Sequence, residues 1–228
     1  MYHFGHAWSH VVRPLKPVYW DDATRALGER DRVLCRLIRA YPDIHLRRRH
    51  DPFTTLARAI VGQQISVKAA DSIWRRFVAT VKPGARSTAF PRLNPVIVAA
   101  ADIAPLRECG LSGRKVDYLR DLASRFESGA LDPRSWRTLD DDTLIAALVE
   151  VKGIGRWTAE MFLIFHELRA DVLPVDDIGL QRAIALHYRD GARPTPSAMR
   201  DLAHAWRPYR SVATWYLWRS LDPIPVQY

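Results

Sequence analysis

Between residues 144 and 168 the sequence twice repeats apolar side chains at helical spacing, and Gly153-Ile154-Gly155 separates the two runs. The first run places Leu144, Ile145, Leu148 and Val151 on one face. Asp140, Asp141 and Asp142 stand at its start, where carboxylates favour the positive end of the helix dipole. The second run continues through Met161, Phe162, Ile164 and Phe165. Glycine reaches positive φ without a steric penalty, so the spacing predicts two helices joined by a tight turn in which Gly153 and Gly155 can both take that conformation. Ile154 between them would anchor the turn in the core. The N–H groups opening the second helix have no intrahelical partner and would face outward as donors to an anion. An ordinary two-helix corner with a glycine cap satisfies the same pattern.

The remaining chain keeps the helical period. Residues 21–41 read as one helix with Ala26, Val33, Leu34, Leu37 and Ile38 on its apolar side. A second helix runs from Phe53 through Leu56, Ile60 and Val61, is interrupted at Gly62-Gln63-Gln64-Ile65-Ser66, and resumes over 67–81 with Ser66 as N-cap. Short helices are expected over 91–101 and 105–109, an amphipathic one from Arg114 to Phe126, and further ones over 178–188, 197–206 and 210–221. Residues 1–19 and the tail from Asp222 to Pro225 read as extended, because prolines interrupt them. Strand patterns are nearly absent, so the fold class is all-α.

Charge narrows the partners. Thirty-four lysines and arginines stand against 25 acids, giving +9 and a pI near 9.9. That balance points to a polyanion, and eight tryptophans supply flat rings of the kind on which bases stack. Cys35 and Cys109 make neither a disulfide framework nor a zinc pattern, which suits a reducing compartment. No apolar run approaches a membrane span and the start is not a secretory signal, so a soluble intracellular protein, cytoplasmic or nuclear, is expected. His3, His6 and His10 have helical spacing but no carboxylate or cysteine beside them, and read as surface residues. Arg47-Arg48-Arg49-His50, like Arg114 and Lys115, is either solvated or set against phosphates.

Four segments then carry a resemblance: Gly62-Gln63-Gln64-Ile65-Ser66-Val67, Gly153-Ile154-Gly155-Arg156-Trp157-Thr158-Ala159, Leu173-Pro174-Val175-Asp176-Asp177 and Trp206-Arg207-Pro208-Tyr209-Arg210-Ser211. Together they resemble the helix-hairpin-helix DNA glycosylases, closest to the branch of 3-methyladenine DNA glycosylase II, in a compact form without the amino-terminal β domain. The resemblance implies two helical domains with the active cleft between them. Residues 52–169 would carry the wedge loop and the hairpin, and residues 20–51 and 170–228 would together form a discontinuous domain carrying the catalytic aspartate.

Site roles follow from the same resemblance. Asp177 would be the catalytic carboxylate, stabilising the oxocarbenium-like sugar left when a base departs. Asp-Asp before a helix is ordinarily an N-cap, and both roles can coexist. Trp157, Trp218 and Met161 would line the base pocket, with Gln63 close by and Phe53 and Tyr209 as further members. For Trp218, core packing beside Trp215 is an equal reading of the periodicity. Gln64, with Ile65 beside it, would fill the gap left by a flipped nucleotide. Lys152, Gly153, Ile154, Gly155 and Thr158 would hold DNA backbone, and the carbonyls of Lys152, Gly153 and Gly155 a monovalent cation, Na+ or K+. No cofactor is required. Relatives that also nick the strand carry a lysine where Trp157 stands, and an indole cannot form a Schiff base. The implied activity is therefore monofunctional hydrolysis of alkylated purines such as 3-methyladenine and 7-methylguanine from double-stranded DNA, by a monomer. Two rival readings stay open: a glycosylase for an oxidised or mismatched neutral base, and a non-catalytic DNA-binding module.

Overall fold

The structure, a computed structural model, describes residues 16–48, 51–83 and 91–221. His3, His6, His10, Arg49, His50 and the tail from Asp222 to Pro225 lie outside these residues. The described residues form twelve α-helices and no strand. In chain order they are α1 (Trp20–Arg30), α2 (Arg32–Ala40), α3 (Pro52–Gly62), α4 (Val67–Val81), α5 (Pro95–Ala100), α6 (Ile103–Glu108), α7 (Gly113–Glu127), α8 (Asp141–Val149), α9 (Arg156–Phe165), α10 (Ile178–Tyr188), α11 (Pro196–Ala203) and α12 (Arg210–Leu221). Short 3-10 turns occur at Trp136–Thr138 and His204–Trp206. No helix among the described residues is long and apolar enough to cross a membrane.

One correction concerns residues 21–41, which are two helices and not one. Asp31 adopts an extended conformation, and its Oδ1 accepts the amides of Val33 (2.8 Å) and Leu34 (3.0 Å), so it is the N-cap of α2. The apolar period runs across this break, with Ala23, Leu27 and Leu34 fully buried, which is why periodicity alone fuses the two. Asp31 also joins distant parts of the chain. Its Oδ2 accepts from the Tyr188 hydroxyl (2.8 Å) and from Trp206 Nε1 (2.9 Å).

Packing divides the helices into two groups. α1 and α2 lie against α12, and α10 packs on α12, so both ends of the described chain meet. The other group centres on α7, against which α3, α5 and α6 pack, with α8 on α9 and α9 on α3. Through this second group runs a chain of edge-to-face rings, Phe53 to Phe126 to Trp136 to Phe162, which continues into His166 stacked on Phe162. The opposite face of α9, carrying Trp157, Met161 and Phe165, turns towards α12, where Phe165 stacks on Trp218 at 5.6 Å.

Candidate active site

Asp177 ends a loop that is strapped to α12 before α10 begins. Ser211, fully buried, donates its amide to Ala170 O (3.0 Å), and its Oγ accepts from Val172 N (2.9 Å). Next to it Arg210 grips Asp171 bidentately, Nε to Oδ1 at 2.8 Å and Nη2 to Oδ2 at 3.0 Å. Gln181 Nε2 donates to Val175 O (2.9 Å), and the Asp177 amide closes on Pro174 O (3.0 Å). The Arg210-Ser211 pair, read as part of a motif, thus does structural work: it fixes where the aspartate stands.

Asp177 is the N-cap of α10, its Oδ1 accepting Leu180 N at 2.6 Å. Two indoles complete the arrangement. Trp218 Nε1 donates to Oδ1 (2.8 Å) and Trp157 Nε1 to Oδ2 (2.9 Å). Both carboxylate oxygens are therefore held, and the group is 8% exposed. Trp157 remains 40% exposed and the adjacent Ile178 60%, so one flank of the cluster faces solvent. Gly179 relieves crowding at this point. A Cβ there would lie 3.1 Å from Asp177 Oδ1 and 3.2 Å from Trp218 Cδ1 and Nε1, so any side chain would push the carboxylate and the indole edge by a few tenths of an ångström.

This arrangement changes the expected use of the two tryptophans. Their N–H edges are spent on the carboxylate, Trp218 has one face covered by Phe165, and Trp157 presents its ring outward. Met161 is half-buried one turn beyond Trp157. The other proposed pocket members lie elsewhere. Phe53 is 2% exposed, packs edge-to-face on Phe126, and borders a separate hollow of about 780 Å³ with Leu93 and Arg134. Tyr209 stacks on Tyr19 at 6.5 Å, just before α12, some 13 Å along that helix from Trp218 at about 1.5 Å per residue. Both rings are packed against other aromatic side chains. Gln63 points its amide at the hairpin, donating from Nε2 to Gly153 O at 2.8 Å.

The hairpin departs from expectation at one glycine. Gly153 has φ +82°, and a Cβ on it would fall 2.1 Å from Tyr118 Cδ2. Gly155, by contrast, has φ −91° and ψ 171°, an ordinary extended residue, with nothing within 4 Å of its would-be Cβ. It is the N-cap of α9 but offers no side chain, so the amides of the first turn, Thr158 among them, have no side-chain cap. Among the described residues, eight of the nine α-helices whose N-cap is an Asp, Asn, Ser or Thr have such a cap, as at Asp31, Ser66 and Asp140. Ile154 is 3% exposed and anchors the turn, and Lys152 is exposed. Together these leave open space in front of a positive helix end, a geometry suited to a phosphate. Of the three carbonyls considered for a monovalent cation, that of Gly153 accepts from Gln63 and that of Gly155 from Ala159 N, each keeping one lone pair.

In the loop joining α3 to α4, Gln64 is exposed at φ +59°, a left-handed conformation costly for a side-chain-bearing residue, and Ile65 is 37% exposed. The loop projects both side chains outward.

A titratable group that the sequence did not flag lies beside the site. Glu160 on α9 is 2% exposed; its Oε1 accepts from Arg156 Nε (3.0 Å) and its Oε2 is buried without a partner. Burial pushes its carboxyl above the usual range, Arg156 opposes that, and the charges of Asp176 and Asp177 add to it.

The fold is helical, with a clamped carboxylate and an uncapped hairpin, and comparison with known proteins gives the family. Residues 57–208 match the HhH-GPD superfamily of base excision DNA repair proteins, and the chain belongs to it. DNA-3-methyladenine glycosylase 1 of Schizosaccharomyces pombe is 33% identical over 195 residues, 85% of this chain and 83% of that protein. DNA-3-methyladenine glycosylase 2 of Escherichia coli is 32% identical over 193 residues, 82% of this chain and 64% of the other. Among solved structures, the DNA-3-methyladenine glycosidase of Bacillus halodurans superposes with a TM-score of 0.79 at 34% identity, over 88% of this chain and 89% of that one. The Schizosaccharomyces pombe 3-methyladenine DNA glycosylase in complex with abasic DNA gives 0.74 at 30% identity, over 90% and 100%.

Proposed function

We propose that this protein is a monofunctional DNA glycosylase of the type II 3-methyladenine branch, which flips alkylated purines out of double-stranded DNA and hydrolyses their N-glycosidic bond. The observation that carries this reading is the Asp177 carboxylate, held on both oxygens by Leu180 N, Trp218 Nε1 and Trp157 Nε1 at the exposed flank of α9. As the bond from C1′ to the base nitrogen breaks, its electron pair leaves with the base, which departs neutral because alkylation had made it cationic. The deoxyribose becomes an oxocarbenium-like cation, and a pre-oriented carboxylate stabilises it without reorganising. Water adds at C1′, and its proton passes to Asp177 or to solvent.

Selectivity follows from how the indoles are spent. With both N–H groups given to Asp177, Trp157 offers a flipped base a ring face and not a donor. Ring faces favour cationic over neutral bases by roughly 0.5 to 2 kcal/mol per contact. In the same reading Gln64 and Ile65 plug the duplex, and Lys152, Gly153, Ile154, Gly155 and Thr158 hold the backbone. A monovalent cation on the carbonyls of Lys152, Gly153 and Gly155 would lend its charge to a phosphate there.

The deciding experiment is base release from duplexes carrying 7-methylguanine or 8-oxoguanine, with the intact protein and with Asp177→Asn. Excision of the methylated base that falls at least about 100-fold in the variant, the scale on which a preorganised electrostatic contact acts, supports the reading. Excision unaffected by Asp177→Asn, a preference for 8-oxoguanine, or a borohydride-trapped protein–DNA adduct would overturn it.

A further inference from the structure

The wedge loop and the hairpin are 90 residues apart in the chain, yet one helix holds both. From α7, Lys115 Nζ donates to Val61 O and to Gln63 O, both at 2.8 Å, so its ammonium caps the carboxyl end of α3 where the wedge loop begins. One turn on, the Tyr118 ring lies directly under Gly153, so close that no side chain fits between them. A further turn along, Asp121 Oδ2 accepts Lys152 N at 2.9 Å while Arg125 Nε, at 3.1 Å, holds that carboxylate in place. Gln63 closes the circuit, with its backbone carbonyl on Lys115 and its side-chain amide on Gly153 O.

Lys115 could instead have been a phosphate contact, as its cationic neighbourhood suggests. Its geometry argues otherwise: two of its three N–H donors are committed to carbonyls of the same protein, and burial lowers its pKa, as expected of an ammonium drawn off the surface. Immediately after the carbonyl it grips, Gln64 is held at φ +59°. A left-handed glutamine persists only where its surroundings over-determine it, and the two bonds of Lys115 with the one from Gln63 are what do so here.

We infer that Lys115 is a positioning residue: through α7 it couples the wedge loop to the hairpin, so that seating a phosphate on the hairpin and inserting Gln64 into the duplex occur as one rigid movement. This rests on the glycosylase reading only in taking the Gln64 loop to enter DNA.

The test uses the full chain and a duplex with 2-aminopurine beside a tetrahydrofuran abasic site, whose fluorescence rises when the loop displaces the stacked base, independent of any catalysis. For Lys115→Met the fluorescence rise is expected to shrink several-fold. Affinity for undamaged duplex, and its dependence on salt, should stay within twofold of the intact protein, and Lys115→Arg should restore most of the signal. Gln63→Ala, which removes the tie to Gly153 from a loop residue, should reproduce the loss even where Lys115→Met fails to fold. In a Gln64→Ala background Lys115→Met should add nothing. A salt slope lowered by about one would make Lys115 a phosphate contact and overturn the inference. So would an undiminished signal in both Lys115→Met and Gln63→Ala. An intact protein that gives no rise at all overturns the wedge reading, and the coupling with it, while leaving base release to be judged separately.

Discussion

Gly153 and Gly155 sit in one turn, and the structure assigns opposite consequences to the same substitution. At Gly153 a Cβ would meet Tyr118 Cδ2, Cε2 and Cγ at 2.1, 2.5 and 2.6 Å, where ordinary contact begins near 3.4 Å. Ring and turn must then separate by more than an ångström, and because Cγ itself is in the way the ring cannot swing aside as a flexible tip would. Left-handed alanine costs about 1 kcal/mol and forced repacking about 1 to 3 more, so Gly153→Ala should lose about 2 to 4 kcal/mol. For a chain of this size that is a fall in Tm of roughly 5 to 15 °C. Alanine fits the φ of −91° at Gly155 and touches nothing. Restricting the unfolded chain should add about 0.4 to 1 kcal/mol, a rise of roughly 1 to 3 °C. A methyl group would, however, fill the space before the uncapped end of α9. Losing one charge-assisted hydrogen bond of about 1.5 kcal/mol weakens duplex binding about tenfold. Thermal melts and fluorescence anisotropy at fixed salt measure both effects. Equal losses of Tm in the two variants, or Gly155→Ala binding DNA as tightly as the intact protein, would refute the reasoning.

Three further outcomes follow from the same contacts. Asp31→Ala removes the cap of α2, worth about 1 kcal/mol, and strands the Tyr188 hydroxyl and Trp206 N–H, at about 1 to 3 kcal/mol each, so thermal unfolding should fall by on the order of 10 °C. Gly179→Ala forces Trp218 and Asp177 apart by a few tenths of an ångström; Tm should hold within about 3 °C, since helix propensity gains what the indole bond loses, while base release slows about tenfold. A slowed release with weakened DNA binding would point instead to a damaged interface. Glu160 is the pH-dependent element. Its carboxyl is raised in the folded state, so the native protein binds the proton more tightly than the unfolded chain, and stability falls as pH rises from 4.5 through the raised value. Glu160→Gln should therefore melt higher than the intact protein at pH 7 to 8, with the gap closing towards pH 4.5; a gap that widens on acidification refutes the assignment.

Where a local signal set the structure, the sequence was legible. Ile178–Tyr188 and Arg210–Leu221 have the boundaries their periodicity implies, and Ser66 caps α4 as its type and place suggest. Asp177 was open to two readings, N-cap and site residue, and it is the N-cap of α10 with two indoles aimed at it. What stayed hidden was orientation. Helical spacing puts Trp157 on the face of α9 that meets α12, but it does not say whether a ring presents its face or its N–H edge. For Trp218 the same choice is tied to the missing Cβ of Gly179, thirty-nine residues back in the chain. Phe53 and Tyr209 pack on Phe126 and Tyr19, a use of an aromatic residue that the same spacing allows equally well. The α7 stripe was out of reach altogether, since Lys115, Tyr118 and Asp121 look like an unremarkable amphipathic turn until Val61, Gly153 and Lys152 are brought against them. Residues proposed to touch the reacting atoms left marks in the sequence because few side chains can do that chemistry. Residues that position the loop and the hairpin are chosen by partners 31 to 52 positions away, and only folding makes those choices visible.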